Sequence, residues 1–141
     1  MALETSMILL KPDAIEKHLT GKVLSRFEAA GFSIRAIKMM QLDEPILLEH
    51  YAHIIDIPVF PALLDFMQRT PVIAMVLEGE DAIAKIRELI GPTNSQAAAP
   101  GTIRGDFGEN TMINVCHASD STASAAIEIR RFFKDGEVFA F

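Results

Sequence analysis

Four short apolar runs are separated by stretches in which apolar residues recur at helical spacing. The runs cover residues 6–10, 32–41, 72–77 and 112–116, and each has the length of a strand. The run at 72–77 is continuously apolar, which is typical of a strand that is covered on both faces. The run at 6–10 stops at Lys11-Pro12, because proline cannot continue a ladder of strand hydrogen bonds. The pattern therefore predicts four strands.

Helices are predicted between and after these strands. Thr20 can cap a helix that runs to about residue 30, where Gly31 ends it. Two shorter helical stretches follow, the first from residue 43 to Ile57-Pro58 and the second over residues 60–69, and together they predict a helical hairpin. Further helices are predicted at 80–90 and at 121–133.

The predicted order is β-α-β, a helical hairpin, β-α, a long loop at 92–106 and β-α. Four strands with helices between them favour a mixed α/β fold, specifically an α+β two-layer sandwich of the ferredoxin-like, split βαβ kind. The pattern alone leaves a parallel sheet open. The loop at 92–106 shows little apolar periodicity, and a loop of this length in so small a chain is usually functional.

Composition and charge narrow the class of protein. We expect the 141 residues to form a single domain, residues 1–141, because half of them are hydrophobic and only 23% are charged. The net charge of −6 argues against stable binding of nucleic acid, and no apolar run is long enough to span a membrane. The single cysteine, Cys116, and the lack of a signal-peptide pattern predict a cytoplasmic protein.

The most informative stretch surrounds His117. It lies where the fourth predicted strand gives way to the last predicted helix, and Asp120 or Ser121 can cap that helix. The free backbone N–H groups of a helix start favour anions, and an imidazole beside an anion site can be a base, a metal ligand or a nucleophile. No CxxC or HExxH spacing supports a metal site. For a lone histidine, a structural role at a strand end is the ordinary alternative.

Three cations are candidates for phosphate binding, although each alone is commonplace. Lys11 follows a strand, Arg87 lies off the apolar stripe of its helix, and Arg104 lies in the long loop. Composition alone favours an exposed surface position for Lys11. The chain contains neither GxxxxGK[ST] nor GxGxxG, so a nucleoside triphosphate would have to be held by point charges from separate parts of the chain.

Several separated motifs resemble those of nucleoside diphosphate kinases. They are Lys11-Pro12-Asp13, Gly91-Pro92-Thr93-Asn94, the run from Pro100 to Phe107 that contains Arg104, and Asn114-x-x-His117-x-Ser119-Asp120-Ser121. The resemblance spans nearly the whole chain in the right order. It implies a four-stranded antiparallel sheet with an inserted helical hairpin, and ping-pong transfer of a terminal phosphate from ATP to nucleoside diphosphates through a phosphohistidine at His117.

The resemblance also implies roles for individual residues. The catalytic residues would be His117, Glu128, which orients the imidazole, Ser119, which braces Glu128, and Lys11. The nucleotide-binding residues would be Lys11, Tyr51, Val59, Phe60, Leu63, Arg87, Thr93, Arg104 and Asn114, with Tyr51, Thr93 and Asn114 as neutral hydrogen-bond donors. Mg²⁺ would be held mainly by the nucleotide phosphates, and indirectly, through water, by Asp120. Homo-oligomers, tetramers or hexamers, are implied as well.

The chain departs from the family pattern at a few positions. The aromatic residue that holds the base in the family falls on Val59, with Phe60 next to it, so either Val59 gives a weaker apolar contact or Phe60 takes its place. Ala118 and His18 stand where glycine is usual, and Ser95 stands where proline is usual.

The spacing of Asn114 and His117 carries a structural prediction. In an unbroken strand these two residues would point to opposite faces, so we expect the strand to bend or end near Cys116. Two other functions stay open on the sequence: a different phosphohistidine transfer protein such as a phosphocarrier, and a non-enzymatic ferredoxin-like binding module in which His117 is structural.

Overall fold

Four strands form one antiparallel sheet in the order β2-β3-β1-β4. The computed structural model of the chain describes residues 2–141. The strands are β1 (Leu3–Leu10), β2 (Ser33–Met40), β3 (Val72–Glu80) and β4 (Cys116–Ala118). This is the strand order of a split βαβ arrangement, in which β3 lies between the two strands that the first crossover connects. The predicted antiparallel ferredoxin-like fold is confirmed, and the parallel alternative is excluded.

In the part of the chain that the structure describes, seven α-helices connect and cover the strands. They are α1 (Pro12–Glu16), α2 (Thr20–Ala29), α3 (Glu44–His50), α4 (Phe60–Gln68), α5 (Ala82–Ile90), α6 (Ile103–Phe107) and α7 (Thr122–Phe132). Within residues 2–141, none of them has the length and apolar character that crossing a membrane requires. The predicted hairpin corresponds to α3 and α4. The side chain of Asp43 caps α3 by accepting from the N–H of Ile46 at 3.1 Å.

The sheet is buried on both faces, which explains its long apolar strands. Met7 and Leu9 of β1 pack into one hydrophobic cluster with the hairpin and the end of α7, whereas Ile8 and Leu10 pack into another with α2 and α5. A strand in this position has no polar face, so its sequence is a continuous apolar run. The prediction that β3 is covered on both faces is confirmed in the same way.

The fourth strand begins later than its apolar run predicts. Residues 112–115 are not strand, and β4 pairs with β1 only from Cys116 to Ala118. The prediction of a strand at 112–116 is therefore wrong, because Val115 has a φ of 76° and the Cys116 N–H donates to the Asn114 carbonyl at 2.9 Å, a tight turn. The predicted break near Cys116 is confirmed. His117 lies inside β4 opposite Leu9, and so on the face of the hairpin and α7.

Part of the predicted loop at 92–106 is helical. The helix α6 starts within it, and the Thr102 side chain caps this helix by accepting from the Gly105 N–H at 3.0 Å. Five residues are too few to show helical periodicity, which is why the sequence pattern did not reveal α6. The same reason applies to α1, which begins at Pro12 directly after the strand.

We predict that Gly105→Ala destabilises the protein by about 2–3 kcal/mol, because its Cβ would clash with the backbone carbonyl of Ala99. Gly21→Ala is the matched control, since its Cβ would meet open space inside α2, and we expect it to stabilise by about 0.5–1 kcal/mol. Chemical unfolding of both variants measures the difference. Equal stability of the two would contradict the tight packing around α6.

Candidate active site

Lys11 enters the site directly after β1 and is buried. Only 6% of its surface is exposed, and its Nζ donates to Asn114 Oδ1 at 2.7 Å and to the Met112 carbonyl at 3.3 Å. Burial, assisted by the charge of Arg104, lowers the pKa of Lys11 to about 8. The exposed position that composition favours for this lysine is therefore wrong. The ammonium group is held by neutral oxygen acceptors, which leave most of its charge uncompensated.

Asp13 holds the turn that follows Asn114. Its Oδ2 accepts from the N–H of Val115 at 3.0 Å, and the Val115 carbonyl accepts from the Lys11 N–H at 2.9 Å. A β-branched residue at positive φ is strained and persists only where its surroundings enforce it. The Lys-Pro-Asp sequence thus has two functions, since Lys11 supplies a charge to the site and Asp13 holds the backbone opposite it.

Two arginines approach the same segment from other elements. Arg104 is buried, and its guanidinium donates to the carbonyls of Asn114 at 3.1 Å, Gly91 at 3.1 Å and Cys116 at 2.7 Å. Arg87 of α5 donates to the Ala118 carbonyl at 3.2 Å. Three cations that are far apart in sequence therefore meet around residues 114–118.

His117 is oriented by a carboxylate on α7. Its Nε2 lies 3.0 Å from Glu128 Oε1, and the Ser119 hydroxyl donates to the same oxygen at 2.6 Å. Burial alone would raise the pKa of Glu128, but the contacts with His117 and Ser119 outweigh it and leave the pKa below its usual value. An ionised carboxylate only accepts, so Nε2 of His117 carries the proton and Nδ1 keeps its lone pair.

These groups line one cavity of about 880 Å³. Its lining includes most of the residues that the sequence singled out: Lys11, Tyr51, Val59, Leu63, Arg87, Thr93, Arg104, Asn114, His117, Asp120 and Glu128. A cavity of this size with few convergent charges is typical of a site for a small molecule. It combines a free imidazole nitrogen with three cations, which suits an anionic, phosphate-bearing ligand.

The sequence model of the family described as nucleoside diphosphate kinase matches residues 4–138. The chain belongs to the nucleoside diphosphate kinase family. Among curated relatives, the nucleoside diphosphate kinase of Methanobrevibacter smithii is 47% identical over 136 residues, which are 96% of this chain and 91% of that protein.

Solved structures of nucleoside diphosphate kinases have the same fold. The Aquifex aeolicus enzyme superimposes with a TM-score of 0.94 at 45% identity, covering 98% of this chain and 100% of that one. The Halobacterium salinarum enzyme, solved in complex with CDP, gives a TM-score of 0.96 at 39% identity, covering 99% and 93%.

The structure separates the two candidates for contact with the base. Val59 is 49% exposed and lines the cavity, together with the more buried Leu63. Phe60 is the first residue of α4 and is buried in the hydrophobic cluster between the hairpin and the sheet. The expectation that Phe60 contacts the nucleotide is therefore corrected, because its ring is already part of the core.

Asn114 and Tyr51 both line the cavity, but they differ in whether they can donate a hydrogen bond to a ligand. Both amide hydrogens of Asn114 donate to main-chain carbonyls, of Thr93 at 3.0 Å and Thr111 at 2.9 Å, and its oxygen accepts from Lys11. This arrangement corrects the expectation of a free donor, since Asn114 holds Lys11 in place. Burial, followed by the nearby Glu128, raises the pKa of Tyr51, so it stays a phenol that can donate.

The sequence did not point to His50 and Arg131, two of the residues that line the cavity. His50, at the end of α3, packs its ring against that of His117 with a centroid distance of 4.7 Å, and Arg131 of α7 contacts His50. The signal available in the sequence was weak, because His50 precedes Tyr51 in a predicted helix and Arg131 reads as an ordinary solvated charge. Only packing of α3 and α7 on one face of the sheet brings them together.

His50, His117 and Glu128 also resemble a metal site at first sight. One ligand atom from each lies within 4.8 Å of the others. However, the Arg131 guanidinium donates to His50, which places a fixed positive charge against this group. The arrangement fits a hydrogen-bonded cluster of the active site better than a metal centre.

We predict that Asp13→Ala destabilises the protein by about 1–3 kcal/mol, because it leaves the buried N–H of Val115 without an acceptor. Asp13→Asn is the matched control. Asparagine keeps an acceptor oxygen for the Val115 N–H. It removes a buried negative charge that is unfavourable in this position, as the pKa of Asp13, which burial raises, indicates. We therefore expect the stability of Asp13→Asn to lie within about 1 kcal/mol of the wild type. Chemical unfolding at pH 7 compares them, and an equal loss in both variants would show that the charge, not the acceptor, matters.

Proposed function

We propose that this chain transfers the terminal phosphate of ATP to nucleoside diphosphates through a phosphohistidine at His117. The observation that carries the proposal is the contact of Nε2 with Glu128, which leaves the lone pair on Nδ1 of an imidazole that lines a cavity together with three cations. Membership of the nucleoside diphosphate kinase family supports the same reaction.

In the first half-reaction, the lone pair of His117 Nδ1 attacks the γ-phosphorus of ATP. The bond from this phosphorus to the β,γ-bridging oxygen breaks, and ADP leaves with the electron pair on its β-phosphate. The imidazole becomes positive as it bonds phosphorus, and the Glu128 carboxylate stabilises this charge through the Nε2 proton. The second half-reaction reverses these steps with an acceptor diphosphate, whose terminal oxygen takes the phosphoryl group.

Positive charge supplies most of the stabilisation in such a transfer, because the reacting phosphoryl group spreads negative charge over three oxygens. Lys11, Arg87 and Arg104 would supply it. Their contacts in the protein are to neutral oxygens, so no carboxylate competes directly with the phosphates at any of these contacts.

Mg²⁺ fits the same site. It prefers oxygen ligands, keeps several waters, and is usually bound by substrate phosphates with one or two carboxylates. Asp120 lines the cavity, and hydrogen bonding, chiefly from Ser124, holds its pKa below the usual value, so it is a carboxylate at pH 7. Asp120 would hold the ion through water, and the bound ion would supply charge neutralisation to the diphosphate.

The nucleoside would be held by few contacts. Val59 and Leu63 would pack against the base, Tyr51 and Thr93 would donate neutral hydrogen bonds, and Asn114 would act through Lys11. An aliphatic contact does not distinguish one base from another, so we propose broad use of nucleotides.

We also propose that residues 1–141 act as one cytoplasmic domain and assemble into a homo-oligomer, a tetramer or a hexamer. The family match over residues 4–138 supports a single domain. Exposed apolar side chains on the edge strand β2, such as Met39 at 59%, support buried subunit contacts. Sedimentation of the purified protein measures the number of subunits.

We predict that His117→Ala abolishes labelling by γ-labelled ATP. In the wild type, the label should be acid-labile and base-stable, and added GDP should collect it as GTP. His18→Asn is the matched control, because His18 is exposed and asparagine tolerates its φ of 58°. Retention of label by His117→Ala would move the nucleophile to another residue.

The same experiment separates the two alternatives. Label that forms in the wild type but cannot be collected by GDP would indicate a phosphocarrier. Absence of label in the wild type would indicate a binding module in which His117 is structural.

We predict that Val59→Phe tightens nucleotide binding. Stacking of a base on an aromatic ring is worth about 1–3 kcal/mol, so the Kd for GDP should fall by about fivefold or more. Calorimetric titration with GDP measures this change. Pyrophosphate is the control ligand because it has no base, and its Kd should stay the same. An equal gain for pyrophosphate would show that Val59 does not face the base.

A further inference from the structure

His50 packs against three aromatic rings, one of which is the ring of His117. The residue is only 6% exposed, and its imidazole lies edge to face with each of the three rings. The centroid distances are 4.8 Å to Tyr51, 4.7 Å to His117 and 5.2 Å to Phe132, with interplanar angles between 71° and 81°. These contacts restrict both the position and the plane of the His50 ring. The His50 ring in turn covers one side of the His117 ring and restricts its plane.

Arg131 determines which nitrogen of His50 carries a proton. The guanidinium Nη1 lies 2.9 Å from His50 Nδ1, and a guanidinium can only donate. His50 Nδ1 must therefore accept, which places the ring proton on Nε2. The Arg131 side chain is 12% exposed, and its Nε lies 3.2 Å from a carboxylate oxygen of Glu49, an ion pair without hydrogen-bond geometry.

We propose that Arg131 and His50 form a positioning pair for the nucleophile, in which Arg131 holds His50 as the neutral Nε2–H tautomer and the His50 ring fixes the plane of the His117 ring. This inference rests on the proposed role of His117 as the phosphoryl acceptor. Neither residue touches the reacting atoms in this scheme. Arg131 acts through His50, and His50 acts through His117.

The charges around His50 agree with a neutral ring. Arg131 of α7 and Lys11 at the end of β1 are positive, whereas Glu128 of α7 is negative and Glu49 of α3 pairs with Arg131. Burial first, and then the nearby His117, lower the pKa of His50 to about 3, with Arg131 and Lys11 acting in the same direction. Glu128 opposes this shift without cancelling it.

A neutral His50 matters because of what His117 must do. The His117 ring becomes positive as Nδ1 bonds phosphorus, and a second positive ring at a centroid distance of 4.7 Å would oppose that change. A charged His50 would also compete with His117 for Glu128. The fixed charge of Arg131 prevents both, because its N–H would face a second N–H if His50 took up a proton.

A direct contact between Arg131 and the nucleotide is the competing explanation, since Arg131 lines the same cavity. The two roles differ in what they change. A positioning pair affects the rate of phosphoryl transfer at saturating nucleotide, whereas a phosphate contact affects binding. The two roles are therefore separated by kcat and KM.

The experiment uses Arg131→Met in the full chain, with Arg130→Met as the matched control, because Arg130 is the exposed neighbour on the same helix. We expect Arg131→Met to lower the single-turnover rate of phosphoenzyme formation at saturating ATP by about tenfold, because the attacking imidazole is oriented less well. The KM for ATP should change by less than about twofold. Arg130→Met should match the wild type. Arg131→Lys should restore much of the rate, since an ammonium also donates.

A spectroscopic measurement tests the tautomer independently of activity. Nitrogen-15 spectra of the nucleotide-free protein should show His50 with a bare Nδ1 and a protonated Nε2, and Arg131→Met should give a mixture of tautomers. In a double-mutant cycle, Arg131→Met should have little further effect in a His50→Asn background, because Arg131 acts through the His50 ring.

Three results would overturn the proposal. A raised KM with unchanged rate would make Arg131 a nucleotide contact. Additive effects of Arg131→Met and His50→Asn would show that the two residues act separately. A wild-type spectrum with a proton on Nδ1 of His50 would contradict the tautomer. Failure of the proposed function is distinguishable, because it would appear as a wild type that forms no phosphohistidine whatever the tautomer of His50.

Discussion

The tight turn at Val115 is the constraint on which the active site depends. A branched side chain at positive φ is unfavourable, and the buried carboxylate of Asp13 stabilises it by accepting from the Val115 N–H. Without the turn, an extended backbone would point Asn114 and His117 to opposite faces of the sheet. With it, Asn114 reaches Lys11 while His117 faces the hairpin and α7. One strained residue thus places Lys11 and the His117 imidazole in the same cavity.

The site concentrates positive charge in a protein whose net charge is negative. Lys11 and Arg104 are both buried, and they are held by amide and carbonyl oxygens instead of carboxylates. Burying a charge in this way is unfavourable, as the lowered pKa of Lys11 records. Such uncompensated positive charge is useful in an enzyme that binds phosphates, because the bound phosphate supplies the negative charge that the protein itself does not place there.

The side chains that orient the His117 imidazole lie on the face of the sheet that the helical hairpin and α7 cover. Glu128 and Arg131 lie on α7, and His50 ends α3, so His117 is contacted from two helices that are 72 residues apart (122 − 50) in sequence. The contact with Glu128 keeps the proton of His117 on Nε2, and the contact of Arg131 with Nδ1 keeps the proton of His50 on its own Nε2. The same logic applies twice: a side chain that can only accept or only donate decides the tautomer of a neighbouring imidazole.

Apolar periodicity by itself determined β1, β2 and β3, the presence of a fourth strand, the long helices and the order of elements, because burial on one or both faces leaves a readable pattern. The separated motifs also indicated His117, Lys11 and Arg104, and the family resemblance that they carry implied Glu128. Tertiary structure alone decided the start of β4, the short helices α1 and α6, the burial of Lys11 and Phe60, and the contact of Arg131 with His50. These features depend on a single dihedral angle, on helices of five residues, or on contacts between distant elements, and none of them leaves a periodic signal in the chain.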